Sequence, residues 1–134
     1  AVRRMTDADI DVLENMVAQM EQHIETQNYN AYWLDNRQWH FALYRHCGND
    51  VLIRLLTELF DYSRRYPAYY TQLEELRNSI SEHYRIVDAL RKRNSELAEA
   101  YIRSHTIETT YHYIRRVEEM IAQNTQVHGE EHED

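Results

Sequence analysis

The chain has 134 residues, which is enough for one domain with a hydrophobic core of its own. Two glycines and one proline leave few places for the turns of a β-sheet, and the residues that favour helix are abundant. The formal net charge of −8 argues against the basic face that nucleic-acid binding needs. The composition therefore predicts an all-α protein, an antiparallel helical bundle, that does not bind DNA by itself.

Cysteine usage and hydropathy indicate the compartment. The single Cys47 excludes an internal disulfide and fits a reducing environment. No apolar run approaches the length that spans a membrane, and no signal peptide is visible. We therefore expect a cytoplasmic protein without a membrane partner. Because the sequence begins Ala-Val-Arg-Arg without Met, we also expect it to be part of a longer protein.

Five helices are predicted in chain order from caps, breakers and apolar periodicity. They run from Thr6 to about Gln27, from about Asn30 to Cys47, from Val51 to about Tyr66, from about Gln72 to Lys92, and from Glu96 to about Asn124. Thr6 and Asp9 have the spacing of a capping box, and Gly48 is well placed to end the second helix. Residues 125–134 are acidic and are interpreted as a tail, which leaves 1–124 as one helical domain.

Three histidines, His40, His83 and His105, stand in three separate predicted helices. His83 and His105 share their helical stripes with apolar residues, which indicates that they point inward. A buried polar group without a partner costs about 1–3 kcal/mol, so these side chains need partners. Imidazole is the commonest metal-binding side chain, and one metal ion would serve all three histidines if the helices pack together.

Helical geometry selects a further candidate ligand. Asn36 precedes His40 by four residues, so the two side chains lie about 40° apart around the helix axis. Asp35 precedes His40 by five residues and lies about 140° away, so it should point elsewhere although a carboxylate is the better ligand. The remaining histidines are interpreted as surface, edge or tail residues: His23, His46, His112, His128 and His132.

Two alternative interpretations stay open on the pattern alone. A histidine on an apolar stripe is often a core residue hydrogen-bonded to Tyr or to a carbonyl, and the chain has 11 Tyr. The protein would then be a structural dimerisation bundle. Alternatively, an open metal site can activate water for hydrolysis, which needs a nearby general base. Glu82 lies about 100° from His83 around its helix and should point away, and the chain has no Glu-x-x-His or His-Glu-x-x-His motif.

A family resemblance is carried by five short motifs in a fixed order. They are Asn36-x3-His40, Phe41-x-Leu43-Tyr44, Gly48-Asn49-x2-Leu52, Ser81-Glu82-His83-x2-Ile86-x2-Ala89-Leu90 and Ala100-x4-His105. Together they resemble the effector-binding domain of GntR-family transcriptional regulators, of the FadR C-terminal (FCD) type and its VanR-like branch. The resemblance covers about Asp7 to Met120. It implies an antiparallel all-helical effector-binding domain that modulates transcription and is not an enzyme.

The resemblance also implies a metal site and its ligands. Members commonly bind a divalent metal with one Asp or Asn and three His, and these roles fall on Asn36, His40, His83 and His105. Zinc is expected first, with nickel or manganese as alternatives. Asn36 departs from the commoner Asp, and a neutral amide oxygen is a weaker ligand than a carboxylate.

The rest of the regulator is also implied by the resemblance. The winged helix-turn-helix domain that normally precedes this domain is missing here, so we expect a truncated regulator. DNA would be bound only through that N-terminal domain. The resemblance further implies a homodimer, because these regulators usually dimerise to read paired half-sites.

The expected charge balance predicts the effector. Three neutral imidazoles and one amide leave the charge of a divalent ion uncompensated and leave coordination positions open. A carboxylate would fill both needs, and the family's effectors are often small organic acids. Arg64 and Arg65 are candidates for a second clamp on such an acid. Tyr44, Tyr66 and Tyr101 are candidates for lining its cavity.

Overall fold

The computed structural model describes residues 1–63 and 73–130, with side chains described up to residue 123. It contains α1 (Asp7–Glu25), α2 (Tyr29–Arg45), α3 (Asp50–Ser63), α4 (Leu73–Arg91) and α5 (Ser95–Glu130). No strand occurs in these two described ranges. The predicted all-α fold with about five helices is therefore confirmed.

Side-chain caps set the starts of α1 and α2, and the sequence predicted the first of these caps. Thr6 Oγ1 accepts from the Asp9 N–H at 3.2 Å, and Asp9 Oδ2 accepts from the Thr6 N–H at 2.7 Å, which completes the capping box. Asn28 caps α2 by accepting the Ala31 N–H at 3.3 Å. After α2 the chain turns at Gly48, whose φ of +69° is the left-handed conformation that glycine tolerates best.

The end of α5 differs from the prediction. The helix continues to Glu130, six residues beyond the expected end at Asn124, so most of the predicted tail is helical. The prediction of a tail rests on acidic composition, which does not end a helix. Gln, Glu and Val are tolerated in helices, and α5 has no Pro and no Gly before Gly129. None of the helices in residues 1–63 and 73–130 has the length and low charge needed to cross a membrane.

The core forms where α1 packs against α2 and α4. One stripe of α1 is buried because its apolar residues recur every three or four positions: Ile10, Leu13, Val17, Met20 and Ile24. Trp39 of α2 is fully buried, and its Nε1–H donates to the Leu13 carbonyl at 3.1 Å, which fixes α2 against α1. α5 packs on α4, and α3 contacts α2. This arrangement brings α2, α4 and α5 around one buried point.

Candidate metal centre

The structure brings the three predicted histidines together. His40 of α2, His83 of α4 and His105 of α5 are 7%, 0% and 4% exposed. Nε2 of His40 lies 3.4 Å from Nε2 of His83 and 3.4 Å from Nε2 of His105. One ligand atom from each residue lies within 4.8 Å of the others. Three side chains that are far apart in sequence therefore offer nitrogen atoms to one point.

Local packing holds two of these rings in place. His40 follows Trp39 on α2, and the Trp39 ring meets the His83 ring edge-on, with their centroids 4.3 Å apart. His83 belongs to the buried stripe of α4 that includes Ile80 and Val87, so helical periodicity turns it inward. Because the rings pack against a buried indole, little rotation is left to them.

The outward nitrogens of His83 and His105 have partners that only accept hydrogen bonds. His83 Nδ1 lies 2.7 Å from the Ser79 carbonyl oxygen, and His105 Nδ1 lies 2.7 Å from Glu82 Oε2. A carbonyl or carboxylate oxygen cannot donate, so both Nδ1 atoms carry the proton. The tautomer is thereby fixed, and the Nε2 lone pairs of both rings point at the common centre.

The electrostatics of the cluster favour the neutral form of His40 and of His83. Burial lowers the pKa of His40 to about 3, and the charge of His105 adds to that shift. Burial also holds the pKa of His83 well below its usual value, with further contributions from His40 and His105 that outweigh the backbone hydrogen bond to Ser79. His40 Nδ1 lies 3.3 Å from the Tyr44 hydroxyl, which can donate or accept. Neutral imidazole is the form that binds metal ions.

The donor set and its spacing fit a zinc-like ion. Two nitrogens bound tetrahedrally at about 2.0–2.1 Å from zinc are about 3.4 Å apart. The two separations from His40 Nε2 have this value. Without a shared cation, the single proton on His40 Nε2 could serve only one of the two lone pairs well, whereas one cation serves all three nitrogens. The geometry is therefore that of a metal site with each ligand held by a partner on its other nitrogen.

Asn36 and Asp35 separate as helical geometry predicted. Asn36 Oδ1 is buried and has no hydrogen-bond partner in the described part of the chain, although buried acceptors are nearly always paired. It lies one turn before His40 on α2, which suits a fourth ligand. Asp35 Oδ2 instead lies 3.1 Å from His23 Nε2 of α1. Asp35 is thus occupied elsewhere.

The other predicted site residues have mixed positions. Tyr44 contacts the outward nitrogen of His40, and Tyr101 is partly buried against the hydrophobic core. Arg64, Arg65 and Tyr66 lie outside the described residues.

Sequence analysis missed the role of Glu82. Glu82 is offset from His83 by about 100° around the axis of α4, which predicts that it points away from His83. The same offset turns its carboxylate toward α5, where it contacts His105. Its position directly before a candidate ligand was the available signal. A residue offset by about 100° from an inward-facing one reaches the neighbouring helix.

The fold and the site define a class of protein: an all-helical bundle domain with a buried cluster of three histidines that can hold a metal ion. The chain belongs to the FCD domain family, whose model matches residues 1–109. FCD domains are the C-terminal effector-binding domains of GntR-family regulators, so the resemblance drawn from the motifs is confirmed, although the match does not distinguish the VanR-like branch. No curated protein and no solved structure matched the chain.

Proposed function

We propose that this chain is the ligand-sensing, metal-binding domain of a GntR-family transcriptional regulator. A divalent ion is held by His40, His83, His105 and Asn36, and a small organic acid binds to it. The observation that carries the proposal is the pair of 3.4 Å Nε2 separations, with the outward nitrogens engaged by other groups. The buried, unpartnered Asn36 Oδ1 supplies the fourth donor.

The charge of the donor set favours an anionic effector. All four proposed ligands are neutral, so a divalent ion keeps its charge and accepts a carboxylate in an open position. The Glu82 carboxylate bonds to the far nitrogen of His105 and makes that ring a better donor without occupying such a position. Zinc fits three imidazoles best, and nickel is the next choice. Manganese suits oxygen-rich sites better.

A connection from the metal centre to the N-terminal segment supports a regulatory role. The Arg93 guanidinium, just after α4, donates to the carbonyls of Val2 and Met5 and to the Asp7 carboxylate. α4 also carries His83. In the intact regulator, the DNA-binding domain would connect through this segment. We propose that the intact regulator is a cytoplasmic homodimer with two DNA-binding domains. An effector changes its DNA binding only if it binds one arrangement of these two domains more tightly than another.

The orientation of the rings favours sensing over the two other candidate functions. In a purely structural bundle, each core histidine would have a normal hydrogen bond at both nitrogens, whereas here one Nε2–H of His40 would be shared between two acceptors, each 3.4 Å away. For hydrolysis, a carboxylate would be needed beside the inward Nε2 atoms. Glu82, which touches the cluster, is bonded to an outward nitrogen instead.

The proposal is tested by metal analysis combined with calorimetry. The purified chain, stripped and then dialysed against zinc, nickel or manganese, should retain a single ion per chain by elemental analysis. Acetate should release heat with the zinc-loaded chain and none with the stripped chain, and NMR should recover the acid unchanged. A zinc-loaded chain that binds no carboxylate would refute the proposed function.

Three variants sharpen this test. His83→Ala should abolish zinc retention, whereas Asp35→Ala should preserve it because Asp35 pairs with His23. Asn36→Asp should tighten zinc and weaken acetate, since the added negative charge partly neutralises the ion. Full zinc occupancy in His83→Ala would remove the histidines from the site and favour the structural bundle.

A further inference from the structure

Among the residues that the structure describes, three buried nitrogens outside the metal centre have no hydrogen-bond partner: Nδ1 of His112 and both Nε and Nη2 of Arg116. These residues follow His105 on α5 by seven and eleven positions, which places both within about 20° of His105 around the helix axis. They therefore share the face that carries the candidate metal ligand. Sequence analysis had treated His112 as an edge residue.

The unpaired donors of Arg116 form one functional edge. Nε and Nη2 point the same way on the guanidinium and make the two-pronged fork that binds a carboxylate through parallel hydrogen bonds. Both atoms are buried, although the side chain is 22% exposed. Side chains on a helix lean toward its N-terminus, so this fork reaches back along α5 toward His112 and His105.

The described acidic groups near the fork leave it unbonded. Glu75 Oε2 lies 3.9 Å from Arg116 Nη2, and Glu75 Oε1 lies 3.4 Å from His112 Nδ1 and 3.5 Å from Arg115 Nη2. Glu119 Oε2 lies 3.9 Å from Nη1, on the other edge of the guanidinium. Normal N–H···O bonds are about 2.7–3.2 Å, so the Arg116 fork has room for a closer acceptor.

The face of α5 that carries His105 and Arg116 is open to solvent between these two residues. Thr109 lies one turn after His105 and about 40° from it, and its side chain is exposed, while His105 is buried and Arg116 is partly buried. A small molecule therefore has access to the stretch of α5 that separates the metal centre from the fork.

We propose that Arg116, with His112 beside it, forms a second anion subsite and that the effector is a dicarboxylic acid. This inference rests on the proposed function, because the first carboxylate would bind the metal ion. His105 and His112 are about 10 Å apart along the axis of α5. After subtracting a metal–oxygen bond and a hydrogen bond, about 5.5 Å remains between the two carboxylate oxygens, which fits an acid of about four to five carbons. Both residues lie beyond residues 1–109, the part that the family model matches.

Calorimetry of the zinc-loaded chain with chosen acids tests the subsite. Succinate, glutarate and adipate are compared with hexanoate, which has one carboxylate, and with acetate. At least one dicarboxylate should bind about 10-fold more tightly than hexanoate, since a second charge-assisted bidentate contact is formed. Arg116→Gln should remove this preference and leave acetate binding unchanged. Arg116→Lys, which keeps the charge without the fork, should retain only part of it.

Matched controls separate the subsite from general effects of charge. Arg103→Gln removes an exposed arginine that pairs with Glu99 on α5, and should leave all acids unaffected. Glu75→Gln removes the competing carboxylate and should tighten dicarboxylates several-fold. If Glu75 were simply the partner of Arg116, this variant would only lower the Tm.

These measurements distinguish failure of the second subsite from failure of the proposed function. If acetate binds the zinc-loaded chain but no dicarboxylate exceeds hexanoate, the second subsite is wrong and the proposed function stands. If Arg116→Gln keeps the dicarboxylate preference, the fork is not its cause. If no acid binds the zinc-loaded chain, the proposed function fails and the subsite fails with it.

Discussion

Glu82 and Ser79 decide which nitrogen of a histidine faces the centre. Each accepts a hydrogen bond from an Nδ1–H, so His105 and His83 present lone pairs on Nε2 without first having to change tautomer. The two partners differ in charge, since one is a carboxylate and the other a backbone carbonyl. The Glu82–His105 pair should therefore be the contact through which the donor strength of the site is set.

Removing the charge of Glu82 should weaken the metal site. In Glu82→Gln the amide oxygen can still accept from His105 Nδ1, but it no longer raises the basicity of the ring. We expect zinc affinity to fall about 10–100-fold, as for other partners of metal-bound histidines. Competition with a fluorescent zinc chelator measures this change. Glu99→Gln, at an exposed position on α5, is the control and should bind zinc like the parent.

An unchanged zinc affinity in Glu82→Gln would show that the contact with Glu82 orients the His105 ring without changing its basicity. A matching fall in Tm of the zinc-free chain would instead indicate a contribution to stability alone.

At the residue scale, the sequence predicted the main candidates and missed their partners. Spacing was enough to predict that Asp35 turns away from His40, because both lie on one helix, and Asp35 does contact His23 instead. The partner of His105 is on another helix, and its identity depends on how α4 meets α5. The unpaired fork of Arg116 was missed for the same reason, since burial across helices is invisible in a helical pattern.

Among the elements, the turn after α2 depends on a close approach between Gly48 and Arg4. Gly48 has a φ of +69°, and the Arg4 guanidinium occupies the space where a Cβ would be. Arg4 also donates to the Cys47 carbonyl at 3.2 Å. The N-terminal segment and the α2–α3 turn are thus held together at a position where only glycine fits without rearrangement.

Gly48→Ala should destabilise the chain by about 1–2 kcal/mol, because alanine is strained at this φ and its Cβ displaces Arg4. Urea unfolding followed by circular dichroism measures the loss. In an Arg4→Ala background the same substitution should cost less, since the steric part is already gone. Equal costs in both backgrounds would assign the whole effect to backbone strain.

Helix starts were more predictable than helix ends. The Thr6 capping box is a signal within a few residues, and the structure has it where the sequence placed it, whereas α2 ends at Arg45 rather than at the predicted Cys47. The end of α5 has no comparable signal before Gly129, so its charge pattern was misread as a boundary. Acidic composition is compatible with the end of a helix, but only a residue such as Gly or Pro forces the helix to end.

For the whole molecule, periodicity predicted which faces are buried but not which faces meet. An inward His83 and an inward His105 follow from their stripes on α4 and α5, yet many packings of five helices satisfy those stripes. Convergence on one point depends on the packing of α4 against α5 and of both α2 and α4 against α1. The family resemblance supplied that information before the structure did.

Zinc should stabilise the whole chain, because a site built from α2, α4 and α5 exists only when these helices are packed. Free zinc at 100 times its Kd should add about 2.7 kcal/mol to the free energy of unfolding. For a domain of this size that is a rise in Tm on the order of 10 °C. Differential scanning calorimetry with and without zinc, and again after a chelator, measures it. Asp35→Ala should show the same zinc-dependent rise and His83→Ala none, because only His83 joins the cluster. A rise of equal size in His83→Ala would mean that zinc acts elsewhere on this histidine-rich chain.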